Sequence, residues 1–243
     1  MNPSHLLHLA DNVLILAQRN AEWCGHGPVL EQDIALTNIT LDLVGQARSL
    51  YQYAATLKGK EVTEDHLAYL RLEQEYLNVL LVEQPNGDWA QTVLRQFFFS
   101  AWQSAYYTQL ENCPDKTLSA IAEKSMKEIR YHLRWSSEWV IRLGDGTEES
   151  HSRMVQALEN LWPYTGEMLE PASYEQESGF IHTDSLRQEW NQTVNAVLEE
   201  ATLPLPGPVF MQEGGKSGRH TEHMGYILSE LQYLQRAYPN SQW

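Results

Sequence analysis

The sequence is poor in cysteine and in positive charge. Of its 243 residues only Cys24 and Cys113 are cysteines, and neither belongs to a CxxC pair with the spacing of zinc ligands. A disulfide framework of the kind that holds small secreted domains is therefore excluded, and we expect two free thiols in a reducing cytosol. The 17 Lys and Arg residues face 32 Asp and Glu residues, a net charge of −15. Because this charge repels phosphate backbones and anionic lipid, we expect no nucleic-acid partner.

Long apolar runs are also absent from the sequence. No stretch approaches the roughly 20 uninterrupted apolar residues that span a bilayer, so no membrane contact is predicted. The apolar run near the N-terminus has no basic region before it, is interrupted by His8 and Asp11, and has no small-residue cleavage site after it. We interpret it as a folded helix and not as a signal peptide. The sequence therefore predicts a cytoplasmic protein.

Proline is unevenly distributed along the chain. It is missing from residues 29–84, 86–113 and 115–162, whereas three prolines and four glycines crowd residues 204–218. Because proline removes a backbone donor and clashes with the preceding turn, long helices can run only through the gaps.

Apolar residues within these gaps recur at three- and four-residue steps, which is the period of one helix face. In the second predicted helix, the apolar face is expected to comprise Ile34, Leu41, Val44, Ala47, Tyr51 and Ala54. Helices are predicted over about 5–22, 30–57, 63–82, 88–111, 115–143, 147–169 and 184–201, with a last helix through Ile227, Leu231 and Leu234. Residues 171–182 are predicted as a loop, and no strand alternation is convincing.

The order of these helices predicts an all-α fold. Two pairs of long helices, the first with the second and the fourth with the fifth, are separated by the third. This order is typical of a ferritin-like four-helix bundle with one long crossover. We predict a single domain over residues 1–243, with a core bundle at about 5–143 and a C-terminal helical extension at about 147–243.

Enzymes with the ferritin-like fold hold two irons with one Glu from each of two helices and a Glu-x-x-His pair from each of the other two. The only such pair in this chain is Glu148 with His151, in the first turn of a helix, where acidic residues are common for dipole reasons. The second helix lacks histidine, and residues 89–110 lack Asp and Glu. Since two helices cannot supply their share of ligands, we predict no metal or cofactor in this chain.

Polar residues nevertheless stand at mid-helix depth, where a di-iron centre would lie. This predicted central cluster comprises Gln18, Asp42, Gln46, Arg48, Gln103, Glu128 and His132. Glu128 and His132 are four residues apart and share a helix face. We interpret the cluster as hydrogen-bonded or ion-paired, since buried charges persist when paired with groups such as Arg48 or Arg19. An autonomous metal oxidase with Asp42, Glu128 and His132 as ligands is the alternative.

Three further motifs carry weaker signals. His220 and His223 could contribute to a zinc site, but without further ligands they are more typical of a capped or solvated helix start. Residues 214–220 resemble a phosphate loop faintly but lack its frame and a preceding strand. Cys24 with His26 suggests a nucleophile and base, although no third group orients them and a buried structural Cys is commoner.

Four separated segments of the chain, residues 22–48, 80–90, 127–147 and 218–236, closely resemble the C-subunit family of bacterial phenylacetyl-CoA epoxidases. The resemblance covers nearly the whole chain. It implies a multicomponent oxygenase of aerobic phenylacetate degradation, which epoxidises the ring of phenylacetyl-CoA with oxygen and NADPH. In that family the catalytic A subunit holds the di-iron centre and binds the CoA thioester. A reductase subunit with flavin and iron–sulfur groups takes electrons from NADPH and delivers them.

The resemblance implies that the C subunit is the ferritin-like, metal-free partner that supports the A subunit. No catalytic residue is carried over, and His132 is aligned with a ligand histidine of the catalytic paralogue, with Ile129 in place of its glutamate. We therefore expect a non-catalytic structural subunit of a hetero-oligomer, with Trp23 and Trp89 as candidate interface residues. Self-association and contacts with further subunits stay open. A further alternative is a binding module for a CoA ester, with Lys216 and Arg219 near phosphate.

Overall fold

The computed structural model describes residues 1–239 and 241. Within these residues the chain contains ten α-helices, five short 3-10 turns and no strand, which confirms the predicted all-α fold. None of the described helices is long and apolar enough to cross a membrane. The helices are α1 (Pro3–Ala21), α2 (Leu30–Lys58), α3 (Glu64–Tyr69), α4 (Trp89–Glu111), α5 (Lys116–Gly144), α6 (Glu148–Leu161), α7 (Ser173–Ser178), α8 (Thr183–Glu200), α9 (Glu222–Leu231) and α10 (Tyr233–Ala237).

The chain forms two compact units. The first comprises residues 1–85 with the described part of 214–243, and the second comprises residues 86–213. Helices α9 and α10 therefore belong with α1 to α3, whereas the sequence placed everything after residue 147 in one extension. The two predicted long-helix pairs are present, α1 with α2 in the first unit and α4 with α5 in the second. The single-domain organisation stays a prediction.

Helix α1 is buried on every side within the first unit. Its first turn is capped by Asn2, whose side chain accepts a hydrogen bond from the Ser4 amide. Pro3 occupies the first position of the helix, where a backbone N–H would have no partner within the helix. Polar residues on α1, among them His8, Asp11 and Asn12, are as inaccessible as its leucines. Buried polar groups require hydrogen-bond partners, so α1 organises much of the polar interior of this unit.

The third predicted helix, over 63–82, is wrong for most of its length. Helix α3 ends at Tyr69, and the chain continues through 3-10 turns at 73–75 and 80–83. Two backbone amides in this segment donate to side chains of α1. The amide of Leu77 donates to Asp11 Oδ2 at 2.8 Å, and that of Val79 donates to Asn12 Oδ1 at 2.8 Å. Side-chain acceptors on α1 thus replace the carbonyls that a helix would have supplied.

The second unit is built around α4, which packs against α5, α6 and α8. The predicted starts of the fourth, fifth and sixth helices are correct to within a residue, and the side chains of Asp88, Asp115 and Thr147 each accept hydrogen bonds from amides in the first turn of α4, α5 and α6. The aromatic residues of α4 form the core of this unit. Those with almost no exposed surface are Phe97, Phe98, Phe99, Trp102, Tyr106 and Tyr107.

Two predictions in the second unit need correction. The sixth helix was expected to reach residue 169, but α6 ends at Leu161 and gives way to two 3-10 turns, the first of which contains Pro163. The predicted loop 171–182 contains the short helix α7. Glu175 holds α7 in place, because its carboxylate accepts hydrogen bonds from the Ala172 amide at 2.8 Å and the Tyr106 hydroxyl at 2.9 Å.

Candidate functional site

Four residues of the predicted central cluster lie in the first unit. Gln46 is buried, and Gln18 and Asp42 are half-buried. Arg48 does not lie in a buried cluster: its side chain is 70% exposed and its Nε donates to Glu64 Oε1 at 3.2 Å. A long cationic side chain on an exposed helix face keeps its charge in water, so Arg48 needs no buried partner.

Arg19, the other cation considered as a partner for buried charge, is buried. Its Nε and Nη2 donate to the carbonyl oxygen of Glu83 at 3.1 and 2.8 Å, and its Nη1 donates to the Glu22 carboxylate at 3.0 Å. Arg19 therefore fastens α1 to the segment that precedes α4.

The remaining three residues of the predicted cluster lie in the second unit. Gln103 on α4 and His132 on α5 are fully buried, and Glu128 is half-buried. Gln103 and Glu128 both influence Tyr107. Burial raises the pKa of the Tyr107 hydroxyl, the Gln103 amide opposes the rise, and the negative charge of Glu128 adds to it. The Tyr107 hydroxyl therefore stays protonated in this interior.

No group of three or more His, Cys, Asp or Glu side chains in residues 1–239 and 241 is arranged to hold a metal ion. Of the three ligands of the alternative oxidase, Asp42 lies in the first unit, and Glu128 and His132 lie in the second. The interpretation of the seven residues as the remnant of a di-iron position stays a prediction.

The structure contains a buried ion pair that the sequence did not predict. Asp11 Oδ1 accepts hydrogen bonds from the Tyr51 hydroxyl, at 2.5 Å, and from Arg71 Nη2, and Oδ2 accepts from Arg71 Nη1 at 3.1 Å. Burial alone lowers the pKa of Arg71, but the facing charge of Asp11 outweighs this and raises it. The pair joins α1 and α2 to residue 71, and its bidentate geometry keeps both charges in the interior.

The Arg71 guanidinium also lies over an aromatic ring. Its central carbon is 4.0 Å from the centroid of Tyr76, a distance typical of a cation–π contact. Burial raises the pKa of Tyr76 to about 12, against the opposing charge of Arg71. The Tyr76 hydroxyl donates to the carbonyl of Ala68 at 2.7 Å and lies 2.9 Å from the side-chain amide of Gln232. The network therefore extends to the end of α9.

A second buried network is centred on Glu83. Its Oε1 accepts hydrogen bonds from His220 Nδ1 at 2.6 Å and Asn78 Nδ2 at 2.9 Å, and its Oε2 accepts from the amide and hydroxyl of Thr221 at 2.9 and 2.7 Å. His220 Nε2 lies 3.0 Å from the carbonyl oxygen of Tyr76. Both ring nitrogens face acceptors, and only the protonated ring can donate to both. The His220 side chain is buried, which corrects the interpretation of a solvated helix start.

The only trace of these networks in the sequence is the interruption of an apolar helix by Asp11 and Asn12. Charged residues in an otherwise apolar helix indicate a buried pair, because an isolated charge would be too unfavourable in the interior. The partner residues lie 60 positions from Asp11 in the case of Arg71 and 137 from Glu83 in the case of His220, so sequence spacing could not identify them.

The most prominent surface feature of the first unit is an apolar stripe on α2. Leu30, Ile34, Leu41 and Val44 are each between 42 and 72% exposed. The predicted single apolar face of α2 is therefore divided, since Ile34, Leu41 and Val44 face solvent while Ala47, Tyr51 and Ala54 are buried. Helix α2 carries apolar residues on two faces, and periodicity alone does not tell which one meets the core.

The spacing along this stripe is that of a coiled-coil seam. With Thr37 and Arg48 included, the positions advance from Leu30 by four, three, four, three and four residues. This 3.5-residue period is the one that keeps a helix in contact with a second helix. We refer to Leu30, Ile34, Thr37, Leu41, Val44 and Arg48 as the α2 seam.

Trp23 and Trp89, the two candidate interface residues predicted from the sequence, are half-buried. Trp89 packs edge-on against Trp135 and Trp139, with ring centroids 6.1 and 6.5 Å apart, so it contributes to the interior of the second unit. Trp23 lies in the turn that follows α1.

The weaker motifs do not form sites. Cys24 is exposed, which corrects the interpretation of a buried structural cysteine, and its carbonyl lies 3.2 Å from His26 Nδ1. His151 Nδ1 lies 2.7 Å from the carbonyl of Gly144. Lys216 is buried and Arg219 is exposed, so they do not form one exposed basic surface for phosphate.

In the part of the chain that the structure describes, the long helices pair as α1 with α2 and α4 with α5, which defines an all-α helical protein. A family described as "Phenylacetic acid catabolic protein" matches residues 3–243, and the chain belongs to this family. The fold of the family is ferritin-like and all-α. The chain is 48% identical over 244 residues to the C subunit of 1,2-phenylacetyl-CoA epoxidase from Escherichia coli (strain K12). The match covers 99% of this chain and 98% of that protein, which confirms the resemblance found in the sequence.

Proposed function

We propose that this chain is a non-catalytic structural subunit of a multicomponent phenylacetyl-CoA epoxidase, in which it binds and supports the di-iron catalytic A subunit. The similarity to the C subunit of such an epoxidase supports the assignment to phenylacetate catabolism. The observation that carries the structural role is the α2 seam, because a folded chain rarely leaves such a row of large apolar side chains in water.

The seam indicates what kind of surface covers it. Its 3.5-residue period fits one helix of a partner, whose side chains would pack between Leu30, Ile34, Leu41 and Val44. Arg48 at its end is exposed and offers a cation to an acidic side chain of that helix. Stable obligate interfaces bury about 2,000 Å² or more, so surfaces beside the seam must also take part.

The buried networks explain how this chain can support a partner. Tyr51 on α2, Asp11 on α1 and Arg71 are joined by hydrogen bonds inside the unit, so α2 cannot shift on α1 without breaking the buried hydrogen bond from Tyr51 to Asp11. Because α2 is already fixed on α1, the α2 seam loses little conformational entropy when a partner binds. In the proposed complex this rigidity holds the helices of the A subunit in iron-binding geometry.

The proposal is tested with mixtures of the purified chain and the A subunit, in which light scattering and titration calorimetry measure the complex. Leu41→Asp, which places a charge in the seam, is expected to weaken binding at least about a hundredfold. Leu72→Asp is the matched control, because Leu72 is similarly exposed in the same unit but lies outside α2.

Two results would contradict the proposal. One is that, at micromolar concentration, the wild-type chain migrates independently of the A subunit. The other is equal loss of affinity in the Leu41 and Leu72 variants, since the seam would then have no special role.

A further inference from the structure

The segment after α8 forms an exposed arm in the second unit. We refer to residues 204–210 as the proline arm. Pro204, Pro206 and Pro208 alternate with other residues, and they lack the backbone donor that a helix or strand requires. Because the proline rings restrict the backbone, the arm loses little freedom when it is bound, as in other proline-rich recognition segments.

Both ends of the arm are fastened to the second unit. Before it, Leu203 is buried and its amide donates to the carbonyl of Leu198 at 2.9 Å. After it, the amide of Gln212 donates to the carbonyl of Pro163 at 2.7 Å. Met211 lies so close to Gly166 that a Cβ there would be 2.7 Å from Met211 Cγ. The arm is therefore a fixed feature of the surface.

The arm presents apolar side chains to solvent. Phe210 is 81% exposed, more than any other large apolar side chain in the part of the chain that the structure describes, and Leu205 and Val209 are also exposed. Residues 201–212 contain no charged side chain, although the whole chain carries a net charge of −15. A partner that meets the arm thus avoids the like-charge repulsion expected elsewhere on this surface.

A cavity of about 250 Å³ lies beside the end of the arm, in the same unit. Its walls include the apolar side chains of Trp162, Trp190, Leu169 and Met211 and the charged side chains of Glu167, Glu170, Arg187 and Glu213. The two indole rings are tilted by 37° with centroids 5.8 Å apart. Since a volume of about 150 Å³ is enough to hold a benzene ring, this cavity has room for a phenylalanine side chain against its tryptophan rings. It is too small for a CoA ester, because drug-sized ligands already occupy about 300 to 1,000 Å³.

Phe210 does not fill the cavity of its own chain. The next residue, Met211, forms part of the cavity wall while Phe210 faces solvent. Phe210 is not among the residues that line the cavity, and its ring is 81% exposed. The exposed ring and the cavity that fits it therefore adjoin each other in the chain but do not meet in this structure.

We propose that two copies of this chain associate by reciprocal exchange, with Phe210 of each copy inserted into the tryptophan-lined cavity of the other. A ring and a cavity on one surface are self-complementary about a two-fold axis, which is the arrangement of most homodimers. Arg187 and Glu170, which both line the cavity, form an ion pair at 2.6 Å, so the charge of Glu170 is offset by that of Arg187.

The test is sedimentation velocity of the full chain, without other subunits, from about 1 to 200 μM. The wild-type chain is expected to dimerise within this range, and Phe210→Ala is expected to raise the dissociation constant at least about tenfold. Higher salt is expected to strengthen the dimer, because it screens the repulsion between two acidic chains without weakening an apolar contact. Tyr226→Ala is the control, since it removes another exposed aromatic ring from the first unit.

A second variant closes the cavity. Asn191 lines the cavity and is exposed, so Asn191→Trp places an indole over the opening without changing the core. Each variant alone removes both exchanged contacts of a symmetric dimer. An equimolar mixture of the two is expected to recover part of the association, because the intact Phe210 of one can enter the intact cavity of the other.

Three results would overturn the proposal. They are a wild-type chain that stays monomeric at 200 μM by the same measurement, unchanged dimerisation of both variants, and failure of the mixture to recover association. If Phe210→Ala leaves the dimer intact but weakens binding of the A subunit, the arm belongs to that interface and the exchange is wrong.

Circular dichroism checks that each variant folds. If Phe210→Ala does not fold, the sedimentation of Asn191→Trp alone tests the proposal. Self-association of the isolated chain does not depend on the proposed binding of the A subunit.

Discussion

His220 Nδ1 lies 2.6 Å from Glu83 Oε1, although the two residues are 137 positions apart in the chain. Both side chains are inaccessible to solvent. The pair fastens the segment before α9 to the segment before α4, and Thr221 completes it with two hydrogen bonds to the same carboxylate. With Asn78 as a further donor, this carboxylate is the anchor of the C-terminal segment in the first unit.

This anchor makes stability dependent on pH. Burial lowers the pKa of His220, but the hydrogen bond to Glu83 and its charge outweigh burial, and with a smaller contribution from Glu73 they raise the pKa above its ordinary value of 6.5. A raised folded-state pKa gives stability that is fully present below about pH 6.5 and is lost as the pH rises through the folded value. Urea unfolding between pH 6 and 9 should show this loss. His220→Gln should flatten the profile; an unchanged slope would show that another group titrates.

Removal of the histidine has a larger effect than its titration. His220→Ala leaves the buried Glu83 carboxylate without its cation, and we expect a loss of about 3 to 5 kcal/mol in the free energy of unfolding. His223→Ala, three residues further on, is the matched control. Hydrogen exchange of residues 214–232 should become faster in the first variant only. Equal exchange in both would contradict the anchoring role.

The Asp11–Arg71 pair predicts a comparable loss. Asp11→Asn removes the charge that faces a buried guanidinium, and we expect a decrease of about 3 to 5 kcal/mol in the free energy of unfolding. The exposed pair of Arg48 with Glu64 provides the comparison, since Arg48→Ala should change stability by less than about 1 kcal/mol. Chemical denaturation of both variants checks this. Similar values for the two pairs would show that burial does not strengthen the first.

The Tyr106–Glu175 hydrogen bond predicts local opening of α7. Tyr106→Phe removes a donor from a buried carboxylate, which should lower stability by about 1 to 3 kcal/mol. Hydrogen exchange should accelerate in residues 173–178, because Glu175 fastens this short helix. Tyr226→Phe, at an exposed position, should change neither quantity. Undisturbed exchange in α7 would mean that packing alone holds it.

Metal analysis separates the proposed role from the alternative oxidase. The purified chain, produced in iron-rich medium, is expected to contain much less than one iron per chain by elemental analysis, while the A subunit holds the metal. His132→Ala is expected to leave the iron content of the complex unchanged. Stoichiometric iron in the isolated chain that is lost in this variant would support the oxidase instead.

The helix boundaries show where local sequence was sufficient. The sequence predicts helix starts at about 88, 115 and 147, and the side chains of Asp88, Asp115 and Thr147 cap the helices that begin there. Capping and helical periodicity act within about four residues, so sequence alone contains the information. Helical periodicity also predicts helix over residues 70–82, and this part is not an α-helix because acceptors on α1, far away in the chain, accept hydrogen bonds from its amides.

The candidate site was predictable only in part. Sequence similarity identifies the family, and the residue types on the long helices predict that this chain lacks a full set of iron ligands. The placement of Arg48 at the surface and of His220 in the interior did not follow from their neighbours in sequence. Burial of a polar side chain depends on whether the fold supplies its partners, and those partners are distant.

By itself the sequence determined that the chain is helical, where most of its helices begin, and to which family it belongs, because these depend on local backbone preferences and on residue identity. Only the tertiary structure decided which face of α2 stays in water, that Glu83 meets His220, and that Phe210 stands beside a cavity it does not fill. These relationships depend on packing between distant segments, which no local pattern of residues specifies.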